Sequence, residues 1–184
     1  GEGVETKGDG TLGVRRLSII DPANGHQPMA NESGEIIAVQ NGEIYNFEAL
    51  RADLIARGHV LKTRSDTEIL PHAYEEWGSD LVPRLRGMFA IALWDSRTRT
   101  LLLARDRFGK KPLHYAWVGD SFVFGSEIQA LLEVPGLSRE LDREGIDDSL
   151  TFGSVPPPPT PLPATPKRPP RPPPPLAVSS SPLQ

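Results

Sequence analysis

The sequence predicts a layered α+β fold built mainly from antiparallel strands. Short β-rich runs end at turn residues, helical patterns sit in separate blocks instead of alternating one for one with strands, and apolar positions spread through residues 1–155. Trp77, Trp94 and Trp117 are available for the core.

Leu12–Ile20 and Ile36–Asn41 read as strands, ending at the turn pairs Asp21-Pro22 and Asn41-Gly42. Asn46 is placed to cap a helix over Phe47–Arg57, which Gly58 ends. Phe47, Leu50, Leu54 and Ile55 fall on one face of it. Ser65 or Asp66 opens a second helix running to Trp77, with Pro71 near its first turn. Met88–Asp95, Thr100–Asp106, Leu113–Val118 and Ser121–Gly125 form successive strands, joined by turns at Asp95–Arg99 and Gly119-Asp120. Glu127–Leu132 and Arg143–Leu150 are short helices.

The bulk numbers narrow the function. A net charge of −4 and a pI near 5.6 argue against nucleic acid or an anionic membrane as partner. No apolar run approaches the ~20 residues that span a bilayer, and the opening GEGVETKGDG lacks the layout of a signal peptide. The expectation is a soluble, cytoplasmic protein. With no cysteine, these residues offer no disulfide, no thiolate metal site and no thiol nucleophile. His26, His59, His72 and His114 are too scattered for a local zinc motif, so no metal is expected.

Composition changes after Val155. Fourteen of the twenty prolines fall between Pro156 and Pro182, beside only three charged residues, Lys167, Arg168 and Arg171. Proline lacks the N–H and fixes φ, so residues 156–184 read as a disordered or polyproline II tail after a domain over 1–155.

Four segments then carry a resemblance. Arg15-Arg16-Leu17-Ser18-Ile19-Ile20-Asp21, Asn41-Gly42-Glu43-Ile44-Tyr45-Asn46, Arg64-Ser65-Asp66-Thr67-Glu68 and Arg105-Asp106-Arg107-Phe108-Gly109-Lys110-Lys111-Pro112-Leu113 resemble, in this order, the type-2 glutamine amidotransferase domain of asparagine synthetases. Gly25-His26-Gln27-Pro28-Met29, Leu85-Arg86-Gly87-Met88-Phe89-Ala90 and Phe124-Gly125-Ser126-Glu127-Ile128 also match, so the resemblance covers about 155 residues. It implies the four-layer αββα sandwich of N-terminal-nucleophile hydrolases, here incomplete at its N-terminus.

The resemblance also implies a site that binds free glutamine and releases its side-chain amide as ammonia. Arg16 is the family-matched cation for the α-carboxylate, since a guanidinium makes a planar two-point contact. Backbone groups across Leu17, Ser18, Ile19 and Ile20 add contacts, and Glu43 and Asp66 match the acceptors for the α-ammonium. Asn41 and Gly42 match the catalytic oxyanion donors, a side-chain amide and a backbone N–H. Asp106 and Arg107 read as a structural ion pair. Taken one at a time these residues are ordinary: Asn41-Gly42 is a turn, Arg16 a surface arginine, Asp66 a helix cap.

In the family the nucleophile is an N-terminal cysteine whose own amine acts as base. It is expected some tens of residues before Gly1, so this fragment is expected to be inactive. The synthetase half, which uses ATP and Mg2+ on aspartate, is not found in these residues. The resemblance fades across Leu150–Pro156, where the connection to that half is expected to start. The proline-rich stretch beyond reads either as the product of a frame change or gene-model error or as a real disordered linker. No cofactor is expected within these residues. Glutamine and that half are the expected partners, and unpaired strand edges make aggregation or a homodimer the expected state. One rival keeps the glutamine pocket but feeds another acceptor. The other makes the chain an interaction protein whose Pro163-Ala164-Thr165-Pro166-Lys167-Arg168 and Lys167-Arg168-Pro169-Pro170-Arg171-Pro172-Pro173 fit the two orientations of SH3 ligands.

Overall fold

The structure, a computed structural model, describes residues 2–15 and 25–137 and the backbone of 176–180. Its elements are β1 (Glu2–Lys7), β2 (Gly10–Arg15), β3 (Met29–Ala30), β4 (Ile36–Ile44), α1 (Phe47–Ala56), a 3₁₀ turn (Asp66–Glu68), α2 (Ile69–Trp77), a second 3₁₀ segment (Gly78–Arg84), β5 (Gly87–Asp95), β6 (Thr100–Arg105), β7 (His114–Val118), β8 (Ser121–Gly125), α3 (Ile128–Leu132) and β9 (Leu176–Ser180). They divide into two compact units, one reaching Pro112 and including β9, the other beginning at Leu113.

The larger unit is built on a five-stranded sheet ordered β3-β4-β5-β6-β9, antiparallel except for β6 beside β9. Side chains alternate across such a sheet. Ile36, Ala38 and Ile44 of β4, Phe89, Ile91 and Leu93 of β5, and Leu102 and Ala104 of β6 meet Leu50, Leu54, Ile69, Leu70 and Ala73 of the helices in one core. Each fully buried aliphatic side chain there contributes about 1.5–3 kcal/mol. Ile37, Trp94, Leu101 and Leu103 are buried as well, as expected for strands covered on both faces. The hairpin β1–β2 packs against β4 and β5: the Trp94 indole Nε1 donates to the Lys7 carbonyl at 2.8 Å, and a Cβ at Gly10 would lie 2.4 Å from the Trp94 ring. Helices on one side of a sheet and a second, smaller sheet against it match the α+β expectation.

The turn between β5 and β6 is locked by Asp95, whose two carboxylate oxygens each accept from the Arg97 guanidinium at 3.1 Å. In the smaller unit β7 and β8 form an antiparallel hairpin followed by α3. Phe122 packs on Tyr115 and Trp117 with ring centroids 5.7 and 5.0 Å apart.

Several local expectations are corrected. α1 forms where expected, but Asn46 does not cap it. Its Nδ2 donates to the Arg84 carbonyl at 2.9 Å and its Oδ1 accepts from the Arg86 N–H at 2.8 Å, tying the start of α1 to the entry of β5. Ile55 is 50% exposed, so the buried face of α1 is Leu50 and Leu54. The second helix opens as a 3₁₀ turn capped by Ser65, whose hydroxyl accepts from the Thr67 N–H at 3.3 Å, and Pro71 then falls near the start of α2. β1 pairs along all of β2, an element absent from the sequence reading. Of the strand expected over Leu12–Ile20, Leu12–Arg15 lies in β2 and the rest falls outside the described residues, as does the helix expected over Arg143–Leu150. Within the tail, Leu176–Ser180 is a strand parallel to β6. These five residues are free of proline, so they keep the N–H groups that the flanking prolines lack.

Candidate functional site

The candidate residues converge on the end of β4. The pairing of β4 with β5 runs unbroken through Asn41 opposite Ala90, Gly42 opposite Phe89 and Glu43 opposite Met88. Asn41-Gly42 is therefore strand, and the turn expected there is overturned. Glycine is required for a backbone reason. Gly42 has φ +121°, a region L residues rarely adopt, and a Cβ there would lie 2.0 Å from the Met88 carbonyl oxygen. The approach of β5 that demands glycine also holds the Gly42 peptide in place.

Asp66 reaches this strand from the 3₁₀ turn. It is 1% exposed, and its Oδ2 accepts from the Ile44 N–H at 3.0 Å and from the Gln40 Nε2 at 2.7 Å. The same Gln40 Nε2 donates to the Gly42 carbonyl at 3.1 Å. One amide group therefore bridges the matched ammonium acceptor and the matched oxyanion glycine. A second bridge runs alongside: Gln27 Oε1 accepts from the Gln40 N–H at 2.8 Å, while its Nε2 donates to the Thr67 hydroxyl at 2.8 Å.

Gln40 is the residue that sequence reasoning missed. The signal was a lone polar side chain closing the apolar run Ile36-Ile37-Ala38-Val39, since a polar group inside a buried strand needs a partner. It is 2% exposed, and its Oε1 is the one buried side-chain nitrogen or oxygen without a hydrogen-bond partner among the described residues. The amide cannot be reversed, because that would turn its oxygen toward the Asp66 carboxylate. An acceptor is thus left open beside the site.

Glu43 is half-buried and forms no ion pair with the described residues. Arg16, Leu17, Ser18, Ile19 and Ile20 lie outside the described residues. The structure thus brings Asp66 to Gly42 through Gln40 and places Asn41 and Glu43 on the same strand.

The segment Arg105–Lys111 departs from the expected ion pair. Asp106 makes no bond to Arg107, which is exposed. Its carboxylate instead accepts from four backbone N–H groups, those of Phe89 (3.2 Å), Phe108 (3.0 Å), Lys110 (3.1 Å) and Lys111 (3.2 Å). Burial works to raise the Asp106 pKa, but these donors outweigh it and hold the carboxyl below its ordinary value. Arg105 grips the same loop from its carbonyl side, donating to Lys111 and Gly109 at 2.6 Å each. The loop is a clamp that fixes the end of β6 to Phe89 of β5, opposite Gly42.

Among the described residues no helix is long and apolar enough to cross a membrane. Two of the four scattered histidines, His59 and His72, meet in the fold with their ring centroids 5.3 Å apart.

A family model described as "Glutamine amidotransferase domain" matches residues 1–170. Among curated relatives, the Bacillus subtilis (strain 168) protein named asparagine synthetase [glutamine-hydrolyzing] 3 is 44% identical over 144 residues, covering 77% of this chain and 24% of that protein. A second, asparagine synthetase [glutamine-hydrolyzing] 2 of Oryza sativa subsp. japonica, is 43% identical over 130 residues, 70% of this chain and 22% of its own length. The chain thus spans about a quarter of the length of the relatives it matches. Among solved structures, the glutamine phosphoribosylpyrophosphate amidotransferase from B. subtilis matches with a TM-score of 0.55 at 26% identity, over 67% of this chain and 29% of that one. A structure described as the allosteric regulatory enzyme of purine biosynthesis matches with a TM-score of 0.57 at 25% identity, over 69% and 30%. The first of these neighbours is a glutamine amidotransferase by its description, and the antiparallel sheets seen here fit an incomplete αββα sandwich of the expected N-terminal-nucleophile type.

Proposed function

Since the chain belongs to the glutamine amidotransferase domain family, we propose that it forms the glutamine-recognition and oxyanion-stabilising part of a glutaminase site serving an asparagine synthetase. The observation that carries this reading is the bridge from Asp66 through the Gln40 amide to Gly42. It joins the residue matched to the substrate's α-ammonium with the residue matched to the oxyanion, at two ends of one small ligand.

Free glutamine brings a carboxylate, an ammonium and a side-chain amide. Arg16 takes the carboxylate as a two-point contact, with Leu17, Ser18, Ile19 and Ile20 supplying backbone groups. Glu43 and Asp66 face the ammonium. Asp66 already accepts two protein N–H bonds on Oδ2, and an ionised carboxylate has about four acceptor sites. Attack on the amide carbon places negative charge on its oxygen. The Asn41 side-chain amide and the Gly42 N–H receive it, and losing one such donor typically costs about 10²–10³ in kcat. The clamped strands hold these donors before the charge develops, so little reorganisation is needed in the transition state.

The 184 residues contain no cysteine, so a thiol nucleophile does not come from within them. On its own, a polypeptide of these residues binds glutamine without releasing ammonia. In the whole enzyme the ammonia passes to aspartate activated by ATP and Mg2+ on a synthetase domain. One structural neighbour is a phosphoribosylpyrophosphate amidotransferase by name whereas the curated relatives are named asparagine synthetases, which supports choice of the acceptor outside this domain.

Calorimetric titration tests the reading. L-Glutamine binds with a single saturable site, whereas glutaramic acid, lacking the amine, and 4-aminobutyramide, lacking the carboxylate, bind at least tenfold more weakly. Equal binding of all three compounds, or of none, refutes it.

A further inference from the structure

Away from β4, three side chains from three separate segments point their donor atoms at one spot. Glu32 lies in the connection between β3 and β4, His59 just beyond α1, and His72 within α2. His72 Nδ1 is 3.0 Å from Glu32 Oε2, His59 Nδ1 is 3.4 Å from Glu32 Oε1, and the two Nδ1 atoms are 3.4 Å apart. One donor atom from each residue lies within 4.8 Å of the others.

The separation of the two Nδ1 atoms equals one edge of a tetrahedral metal site, and the carboxylate, which turns Oε2 to His72 and Oε1 to His59, stands close enough to supply a third ligand through one of its oxygens. With bonds of about 2.0–2.1 Å, the ligand atoms around zinc are separated by roughly 3.3–3.4 Å. Hydrogen bonding alone serves the arrangement badly. If each ring carries its proton on Nδ1, two N–H groups meet head-on at 3.4 Å; if only one does, the other ring turns a lone pair toward the carboxylate. A cation at the centre satisfies all three donors at once.

The surroundings fix the ligands as well. The Val60 N–H donates to Glu32 Oε1 at 2.7 Å, and the His59 N–H donates to the Leu54 carbonyl at 3.1 Å. On the far side of the His59 ring, Nε2 faces Glu76 Oε2 at 3.6 Å, and Glu76 is itself held by Arg57 at 2.8 Å. A carboxylate behind the ring favours the proton on Nε2 and leaves the Nδ1 lone pair for a metal, as outer carboxylates do in metal sites. His72 is 1% exposed, whereas the Glu32 side chain is 37% exposed, so the spot is anchored inside and open to solvent on one side.

We propose that Glu32, His59 and His72 form a binding site for a divalent transition-metal cation of the zinc class, which staples the β3–β4 connection, the end of α1 and α2 together. Two imidazoles favour such a cation over magnesium or calcium, which take oxygen ligands. The fourth position is left to water from the open side.

The test titrates the whole 184-residue chain, stripped with a chelator, with Zn2+ by calorimetry and with Co2+ as a spectroscopic probe. The expected result is one ion per chain, with the intense visible absorption of tetrahedral Co2+. Glu32→Gln and His59→Gln each weaken binding at least tenfold, Glu76→Gln weakens it less, and His26→Gln leaves it unchanged. Glu32 is a surface residue, so its variant keeps the test valid if His59→Gln fails to fold. Absence of stoichiometric binding, a six-coordinate Co2+ spectrum, or a Glu32→Gln variant that binds as the parent does overturns the proposal.

Discussion

The side-chain amide of Gln40 donates to the Asp66 carboxylate at 2.7 Å, with both residues almost wholly buried. Because the same nitrogen also holds the Gly42 carbonyl, a change at residue 40 reaches both ends of the candidate site. Gln40→Leu removes two bonds and leaves Asp66 with one of its two named donors. Leaving a buried charged acceptor short of a partner costs about 1–3 kcal/mol. Chemical denaturation is expected to show that loss, together with weakened glutamine binding. A variant as stable as the parent that still binds glutamine normally removes Gln40 from the account.

Gly42 and Gly58 separate two costs of replacing glycine. Both have positive φ, +121° and +101°, but a Cβ at Gly42 meets the Met88 carbonyl at 2.0 Å while one at Gly58 meets nothing within 4 Å. Gly58→Ala is therefore expected to cost only the backbone term, about 1–2 kcal/mol. Gly42→Ala adds displacement of β5 and is expected to cost roughly 3 kcal/mol or more. Equal melting temperatures for the two variants contradict the strand register described here.

Asp106 makes a prediction about acid. Its four backbone donors hold its folded pKa below the ordinary carboxyl value, so the unfolded chain takes up the proton first as pH falls. The stability it contributes is complete above the unfolded value of about 3.9 and disappears as pH drops through the lower folded value. Asp106→Asn keeps one acceptor oxygen but turns an NH2 group toward two of the N–H donors. It is expected to cost about 2–3 kcal/mol at neutral pH and to flatten the stability profile below pH ~4. An unchanged acid limb in denaturation curves assigns the acid sensitivity to other carboxyls.

Much of this was legible in the residues and some was not, for physical reasons. Strands β4, β5 and β6 and helix α1 show in local periodicity because burial on the sheet imposes it, and the family motifs singled out Asn41, Gly42, Glu43 and Asp66, of which the structure joins Asp66 to Gly42 through Gln40. Asn41-Gly42 read as a turn because the pair is favourable in tight hairpins. Only the proximity of Met88, 46 residues away in sequence, shows why glycine stands in a strand. Asn46 read as a cap because its partners, Arg84 and Arg86, are distant in sequence. The meeting of His59 with His72 and Glu32 has the same character: no spacing rule joins a loop, a helix end and a helix interior. The tail strand Leu176–Ser180 was obscured by the prolines around it.

The central claim, that free glutamine binds against β4, is tested most directly by following backbone amide resonances while L-glutamine is added. The amides of Asn41, Gly42 and Glu43 are expected to shift with one common saturation curve, while those of β7 and β8 stay in place. Saturable shifts confined to residues away from β4, or no shift at millimolar glutamine, contradict it.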